Sequence, residues 1–294
     1  MGMDSTPVVY IPGSAEETLL PLARFLPPLP PGMLGGWLRE QVEPGSWVID
    51  PLNGSPALAL EAARAGYRVL VVSNNPVLTF MLEMLASAPR PAEFQAALAE
   101  LGASRRGEER IERHLQSLYQ TTCANCGETV QAQSYQWKRG EPAPYARSYR
   151  CPHCHDDGEH PLEPGDVERL NLPGNPSLHR ARALSRVAGP EDEHFEAVQE
   201  ALESYLDRPL YVLSTLINKQ EGLALSTAQR RLLVALLISA CDAASSLWPQ
   251  TGGQRGRPRQ LGMPAQFREH NVWLALEGAI PAWTGQPEPV RRSP

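Results

Sequence analysis

The chain has 294 residues, of which 42% are hydrophobic and 20% charged, and carries a formal net charge of −6. That length and apolar content place it among ordinary soluble proteins, with room for one large domain or two modest ones around a proper core. The negative balance excludes a global basic field, so any nucleic-acid contact must come from local patches.

The N-terminus, MGMDSTPVVY, has no basic start followed by an apolar stretch, so no secretory signal is expected. The longest apolar run, Leu232 to Cys241, is too short for a bilayer and contains Ser239; it reads as a buried helix. A cytoplasmic location and no membrane contact are expected. The 29 prolines cluster near Pro21–Pro31, Pro89–Pro91, Pro142–Pro144 and Pro281–Pro294, which marks connectors and tails. Residues 1–30 read as an arm, with VVYIP a short strand and Ala15 to Phe25 a helix. Met33 to Val42 follows as a short helix whose Met33, Leu34, Trp37 and Leu38 share one face.

Val48 to Pro76 parses as strand, turn, helix and second strand. Trp47, Val48 and Ile49 suit a strand covered on both faces, and Asp50 stands at its end. After the loop Pro51 to Pro56, the run Ala57 to Ala65 is rich in helix formers and Gly66 stops it. Arg68 to Val72 supplies the next strand. Such a unit is a right-handed crossover, and its ligands sit beyond the carboxyl ends of the strands, here Asp50 to Pro56 and Ser73 to Asn75. Val77 to Ala88, Glu93 to Gly102 and Ile111 to Tyr119 continue as helices, and the mixed charges of Ser104 to Arg110 read as a solvated face.

The strongest chemical signal is Cys123-Ala-Asn-Cys126-Gly127 with Cys151-Pro-His-Cys154. Each pair has the spacing that lets both thiolates of a tight knuckle reach one tetrahedral ion, and two knuckles at the ends of a hairpin make a zinc ribbon. The expected site is structural zinc on Cys123, Cys126, Cys151 and Cys154, closed to water, with His153, His155 and His160 as bystanders. Thr129 to Trp137 alternates as strands and Gly140 to Pro144 turns. Lys138, Arg139, Arg147 and Arg150, interleaved with Tyr135, Trp137, Tyr145 and Tyr149, fit a nucleic-acid surface and fit a small hairpin core equally well. Cys241 reads as a small buried apolar residue.

Beyond the ribbon, His155 to Pro176 reads as a loop and Leu178 to Val187 as a basic helix. Glu191 to Tyr205, Leu210 to Ile217 and Ser226 to Trp248 are further helices, the last with Ser226 as N-cap. Arg255, Arg257 and Arg259 lie in the glycine-rich stretch Gln250 to Gly262, a cationic loop suited to phosphate or simply solvated. Phe267 to Trp273, FREHNVW, opens another helix, and the tail from Pro281 is expected to be disordered.

Asp50-Pro51-Leu52-Asn53-Gly54-Ser55-Pro56-Ala57 resembles the first motif of class I S-adenosylmethionine-dependent methyltransferases, most closely the DNA amino-methyltransferases. Val72-Ser73-Asn74-Asn75-Pro76 stands where that family has its second-strand motif. Followed by two cysteine knuckles and FREHNVW, the order is similar to the front portion of zinc-ribbon-containing adenine-specific DNA methylase-like proteins, across roughly Pro27 to Gly278. The resemblance implies an α/β fold with a Rossmann-like methyltransferase-type sheet, partial or degenerate, in residues 31–120. It also implies a zinc-ribbon insertion over 121–160 and a helical region over 161–280 that completes the core. By the same resemblance Asp50, Asn53, Gly54, Ser55, Ser73, Asn74 and Asn75 would face S-adenosylmethionine.

Two departures weaken that set. Pro56 removes a backbone donor from the turn, and Ser73 replaces the acid that holds the cofactor ribose. The family's Asp-Pro-Pro-Tyr motif, which holds the target amine, is absent, so no catalytic residue is assigned. The expected function is a non-catalytic component of a DNA modification or defence system that binds nucleic acid or a partner protein. Asp50, Gly54 and Asn75 support a second reading, one half of a split, active methyltransferase whose partner chain supplies the missing catalytic half. A purely structural assembly subunit is the third.

Overall fold

The computed structural model describes residues 10–14, 19–249 and 262–291. The fold is mixed α/β, and the chain divides into two compact units, residues 1–90 with 281–294, and residues 91–280.

In the first unit a 3₁₀ turn, Ala23–Phe25, is the regular structure among the described residues of the N-terminal arm; the start of the expected VVYIP strand and of the expected Ala15 to Phe25 helix lies outside them. Helix α1 (Met33–Gln41) leads to strand β1 (Trp47–Asp50), helix α2 (Pro56–Arg64), strand β2 (Arg68–Val71) and helix α3 (Pro76–Ser87). The strands pair in parallel, Trp47 opposite Arg68 and Asp50 opposite Val71, so the expected crossover is present. Pro56 sits at the start of α2, where its missing N–H is no loss to the helix and its fixed φ suits the first turn. Leu38, Ala62 and Tyr67 form a small core with Leu34, Val42, Val48, Ala65 and Val69, and the Tyr67 hydroxyl donates to the Val42 carbonyl at 3.0 Å.

That core covers only one face of the sheet. The expectation of a strand buried on both sides is therefore corrected: Trp47 is 64% exposed, Ile49 63% and Leu70 50%, because burial alternates along both strands. Among the described residues the sheet has two strands, and no other strand pairs with either edge. The stretch read as a disordered tail makes contacts up to residue 290. Arg64 donates to Gln286 Oε1 at 2.7 Å, and the Val290 N–H reaches the Ala86 carbonyl at 2.7 Å.

The second unit opens with α4 (Pro91–Ala103), a hairpin of β3 (Arg105–Arg106) and β4 (Glu109–Arg110), and α5 (Ile111–Ser117). Its main sheet is antiparallel: β5 (Gln120–Thr122), β6 (Thr129–Lys138), β7 (Ala146–Arg150) and β8 (Asp157–Pro161) in that order, with β9 (Gln266–His270) also paired to β6. Strand β6 is long enough to serve two neighbours along one edge, β5 at Thr129–Gln131 and β9 at Ser134–Lys138. FREHNVW is thus first a strand and then a cap. Asn271 accepts from the Trp273 and Leu274 N–H groups and donates to the Ala132 carbonyl beside the register shift in β6. The stretch 155–176, expected as a loop, contains β8 and α6 (Pro164–Glu168). Strand β8 is polar and alternately exposed because it is the sheet's edge.

Helices α7 (Pro176–Val187), α8 (Phe195–Glu203), α9 (Asp207–Gly222), α10 (Thr227–Ala244) and α11 (Val272–Thr284) complete the described elements, with α9 packed on α7 and α10. Ser226 caps α10 in a reciprocal box, accepting from the Gln229 N–H while its own N–H donates to Gln229 Oε1. Ser226→Ala should therefore lower the unfolding free energy by about 1 kcal/mol in urea titration. Burial pushes the Cys241 thiol on α10 up to about 11, which leaves it protonated and inert.

Candidate metal centre

The two knuckles are built alike. The Cys123 N–H reaches the Glu128 carbonyl and the Gly127 N–H returns to the Cys123 carbonyl; Cys151 N–H with Asp156 and His155 N–H with Cys151 repeat the pattern. The turn needs a left-handed residue after the second cysteine. Gly127 provides it at φ 76° and His155 at φ 61°. His155 is therefore in the second knuckle as the counterpart of Gly127, a role its position after Cys154 signalled.

The four sulfur atoms lie within 4.8 Å of one another. Cys123 and Cys154 Sγ are 3.5 Å apart, and Cys126 and Cys151 Sγ 3.6 Å. A tetrahedron with metal–sulfur bonds of about 2.3 Å has edges of about 3.8 Å, so the cluster fits a metal ion such as zinc. Cys123 and Cys151 are buried with Val130 and Tyr149 beneath the site, and all five cysteines are free thiols. Hydrogen bonds from the Asp156 backbone and the Asn125 side chain hold Cys154 down to about 6. At Cys126 the Glu128 backbone favours the thiolate, but desolvation and the neighbouring cysteines outweigh it and push the thiol up to about 12. Cys123, Cys126, Cys151 and Cys154 would hold a divalent ion, whose charge would let all four deprotonate together.

Tyr149 organises the surroundings. Its hydroxyl accepts from the Ala124 N–H at 2.8 Å and donates to Asp156 Oδ2 at 2.9 Å. His160 stacks on its ring at 4.4 Å, with Nε2 3.4 Å from Asp156 Oδ2, so this histidine serves the support and not the metal. His153, His155 and His160 all lie outside the cluster of ligands.

The basic and aromatic residues of the ribbon separate. Tyr135, Trp137 and Tyr149 are buried, and Arg147, 1% exposed, bonds Thr121 Oγ1, the Thr122 carbonyl, Glu163 Oε1 and Asp166 Oδ2. The Arg147 guanidinium holds the Glu163 carboxyl below its ordinary range. Lys138 and Arg139 are exposed; Lys138 lies over the Tyr145 ring at 5.4 Å, and Arg139 donates to the Met263 carbonyl at 3.1 Å. Arg255, Arg257 and Arg259 lie outside the described residues.

At the carboxyl ends of β1 and β2, Asp50 Oδ1 accepts from Leu52 N–H at 3.1 Å and Asn53 N–H at 2.8 Å, closing the turn. Asn53 is fully buried in a left-handed conformation, φ 47°, and neither of its side-chain polar atoms has a partner. Gly54 has open space around it, and Ser55 is buried. Ser73 Oγ accepts from the Asn75 N–H, and the Asn75 carboxamide caps α3 through the Val77 and Leu78 N–H groups. Asn74 is exposed. The polar groups after β2 are engaged with the helix, and no acid stands there for a ribose; these residues do not fit S-adenosylmethionine as the family holds it.

Sequence reasoning missed the ion pair of Arg208 with Glu269, both buried, whose partners are 61 residues apart and carry no local signature. It also missed the contact of Arg106 and His114 with Tyr211. No described helix is long and apolar enough to cross a membrane. No family model matches the chain, and no curated protein and no solved structure is significantly similar to it.

Proposed function

We propose that this chain is a cytoplasmic, methyltransferase-like component of a DNA modification or defence system that binds a partner protein and does not itself transfer methyl groups. The observation that carries this reading is the unfinished parallel pair: among the described residues no further strand pairs with β1 or β2, and an apolar face of Trp47, Ile49, Leu70 and Val72 is left exposed. Purely parallel sheets are stable when covered on both faces, and a two-stranded ribbon is marginal alone. A partner supplying further strands and a helical layer would complete the sheet and bring the catalytic half that this chain lacks. Structural zinc on Cys123, Cys126, Cys151 and Cys154 staples the ribbon in this reading. The exposure of Lys138 and Arg139 supports a second reading, DNA contact at the far turn of the ribbon, with Arg255, Arg257 and Arg259 as further candidates.

Co-expression with the neighbouring gene product, followed by calorimetric titration with S-adenosylmethionine, tests the first reading. The expected result is a stable complex that Ile49→Lys abolishes, and no micromolar binding of the cofactor by the isolated chain. Micromolar binding by the isolated chain would overturn the non-catalytic assignment. A complex indifferent to Ile49→Lys would overturn the role of the open face.

A further inference from the structure

The bonds inside each knuckle fix two sulfur atoms relative to each other, and none of them fixes one knuckle relative to its counterpart. The β6–β7 ladder joins the two, but its register shifts between Ala132 and Ser134, so the ladder alone leaves their spacing loose. Two contacts cross directly between the knuckles. In the first, the Ala124 N–H, on the peptide that follows Cys123, donates to the Tyr149 hydroxyl at 2.8 Å, and the hydroxyl donates to Asp156 Oδ2 at 2.9 Å. Asp156 grips both ends of the second knuckle: its carbonyl accepts from the Cys151 N–H at 2.8 Å, and its own N–H bonds the Cys154 sulfur. One hydroxyl thus ties together the backbone around Cys123, Cys151 and Cys154.

The second contact runs from the Asn125 side chain to the Cys154 sulfur. Asn125 is exposed, so water competes for its bond, whereas Tyr149 is 0% exposed and its bonds act in a low dielectric. The Tyr149 contact is the stronger of the two. Its ring is also clamped: β7 holds Tyr149 opposite Ala132 on β6 and Gly158 on β8, His160 stacks on it at 4.4 Å, and the Arg147 guanidinium lies 5.7 Å from its centre. A side chain locked on an interior strand positions its partners more precisely than one on a loop.

We propose that Tyr149 is the positioning residue of the metal centre: it holds the two knuckles at tetrahedral spacing before an ion arrives, and so sets the affinity for zinc. The inference rests on the reading of the four cysteines as a zinc site, and it is independent of the open β1–β2 face. A second effect has the same sign. Asp156 Oδ2 lies 3.7 Å from the Cys123 sulfur, where its negative charge would oppose a thiolate, and the Tyr149 hydroxyl donates to that same oxygen. Without the hydroxyl the carboxylate would face Cys123 less well compensated.

The zinc affinity of the full chain is measured by competition with a chromophoric chelator in the wild type, Tyr149→Phe and Tyr135→Phe. Tyr149→Phe keeps the ring and its stacking and removes only the hydroxyl. It should bind zinc about 10–100-fold more weakly, while its cobalt-substituted form keeps the absorption of a four-thiolate site. Tyr135→Phe removes a buried hydroxyl that donates to Asp166, away from the knuckles, and should leave the affinity unchanged. In the zinc-free wild type the Ala124 amide should be protected from hydrogen exchange, and Tyr149→Phe should remove that protection while the β6–β7 amides keep theirs. Unchanged zinc affinity in Tyr149→Phe, equal losses in the two tyrosine variants, or an unprotected Ala124 amide in the zinc-free wild type overturns the positioning role. A wild-type chain that binds neither zinc nor cobalt overturns the metal reading itself.

Discussion

Cys151→Ser should cost the chain its metal and much of the stability of the second unit. Cys151 is fully buried, packs on Tyr149, and contributes one corner of the sulfur cluster. Serine is a poor ligand for a soft-accepting site, and its hydroxyl would sit buried beside three thiols. In small zinc domains the metal contributes an apparent 10–16 kcal/mol or so to folding at neutral pH, comparable with the roughly 5–15 kcal/mol by which whole domains are stable. Here β5, β6 and β7 are also held by their own ladders, so a loss of about 5 kcal/mol is the reasonable scale, which lowers Tm by about 10–20 °C for a unit of this size. Metal analysis should fall from about one equivalent to near zero. Cys241→Ser on α10 should change neither quantity. A wild-type chain purified without metal, or with an iron–sulfur spectrum, would refute the assignment.

Legibility in the sequence followed the range of the interaction. The knuckles could be read because both halves of each turn lie within a few residues, and Ser226 could be read as a cap because its partner Gln229 is three positions away. The parallel crossover was legible for the same reason, since strand, helix and strand follow directly. What failed was long-range or depended on what was missing. Trp47 to Ile49 look like a strand covered on both faces, but hydrophobicity does not state whether a second layer exists, and here the other face is open. Phe267 to His270 reads as part of a helix until its partner is known to be Ser134–Lys138, more than a hundred residues earlier in the chain. Arg147 in a basic run suggests a surface, whereas Asp166 and Glu163 on the following turn draw it inside.

The largest effect outside the metal centre is expected at Glu269. Its carboxylate accepts from Arg208 Nε at 2.6 Å and Nη2 at 2.9 Å, and from Trp137 Nε1 at 2.8 Å. Arg208 also donates to the Leu118 carbonyl and lies over the Tyr119 and Tyr135 rings at 4.7 and 4.3 Å. Removing one partner of such a buried pair costs about 3–5 kcal/mol, because the survivor stays buried and charged, while replacing both with apolar groups is often near neutral. Arg208→Met and Glu269→Met should each lose about 3–5 kcal/mol, and urea unfolding of both single variants and of the double variant reads this directly. The double variant should recover most of the loss, and losses that simply add in the double variant would show that the two side chains do not act as a pair.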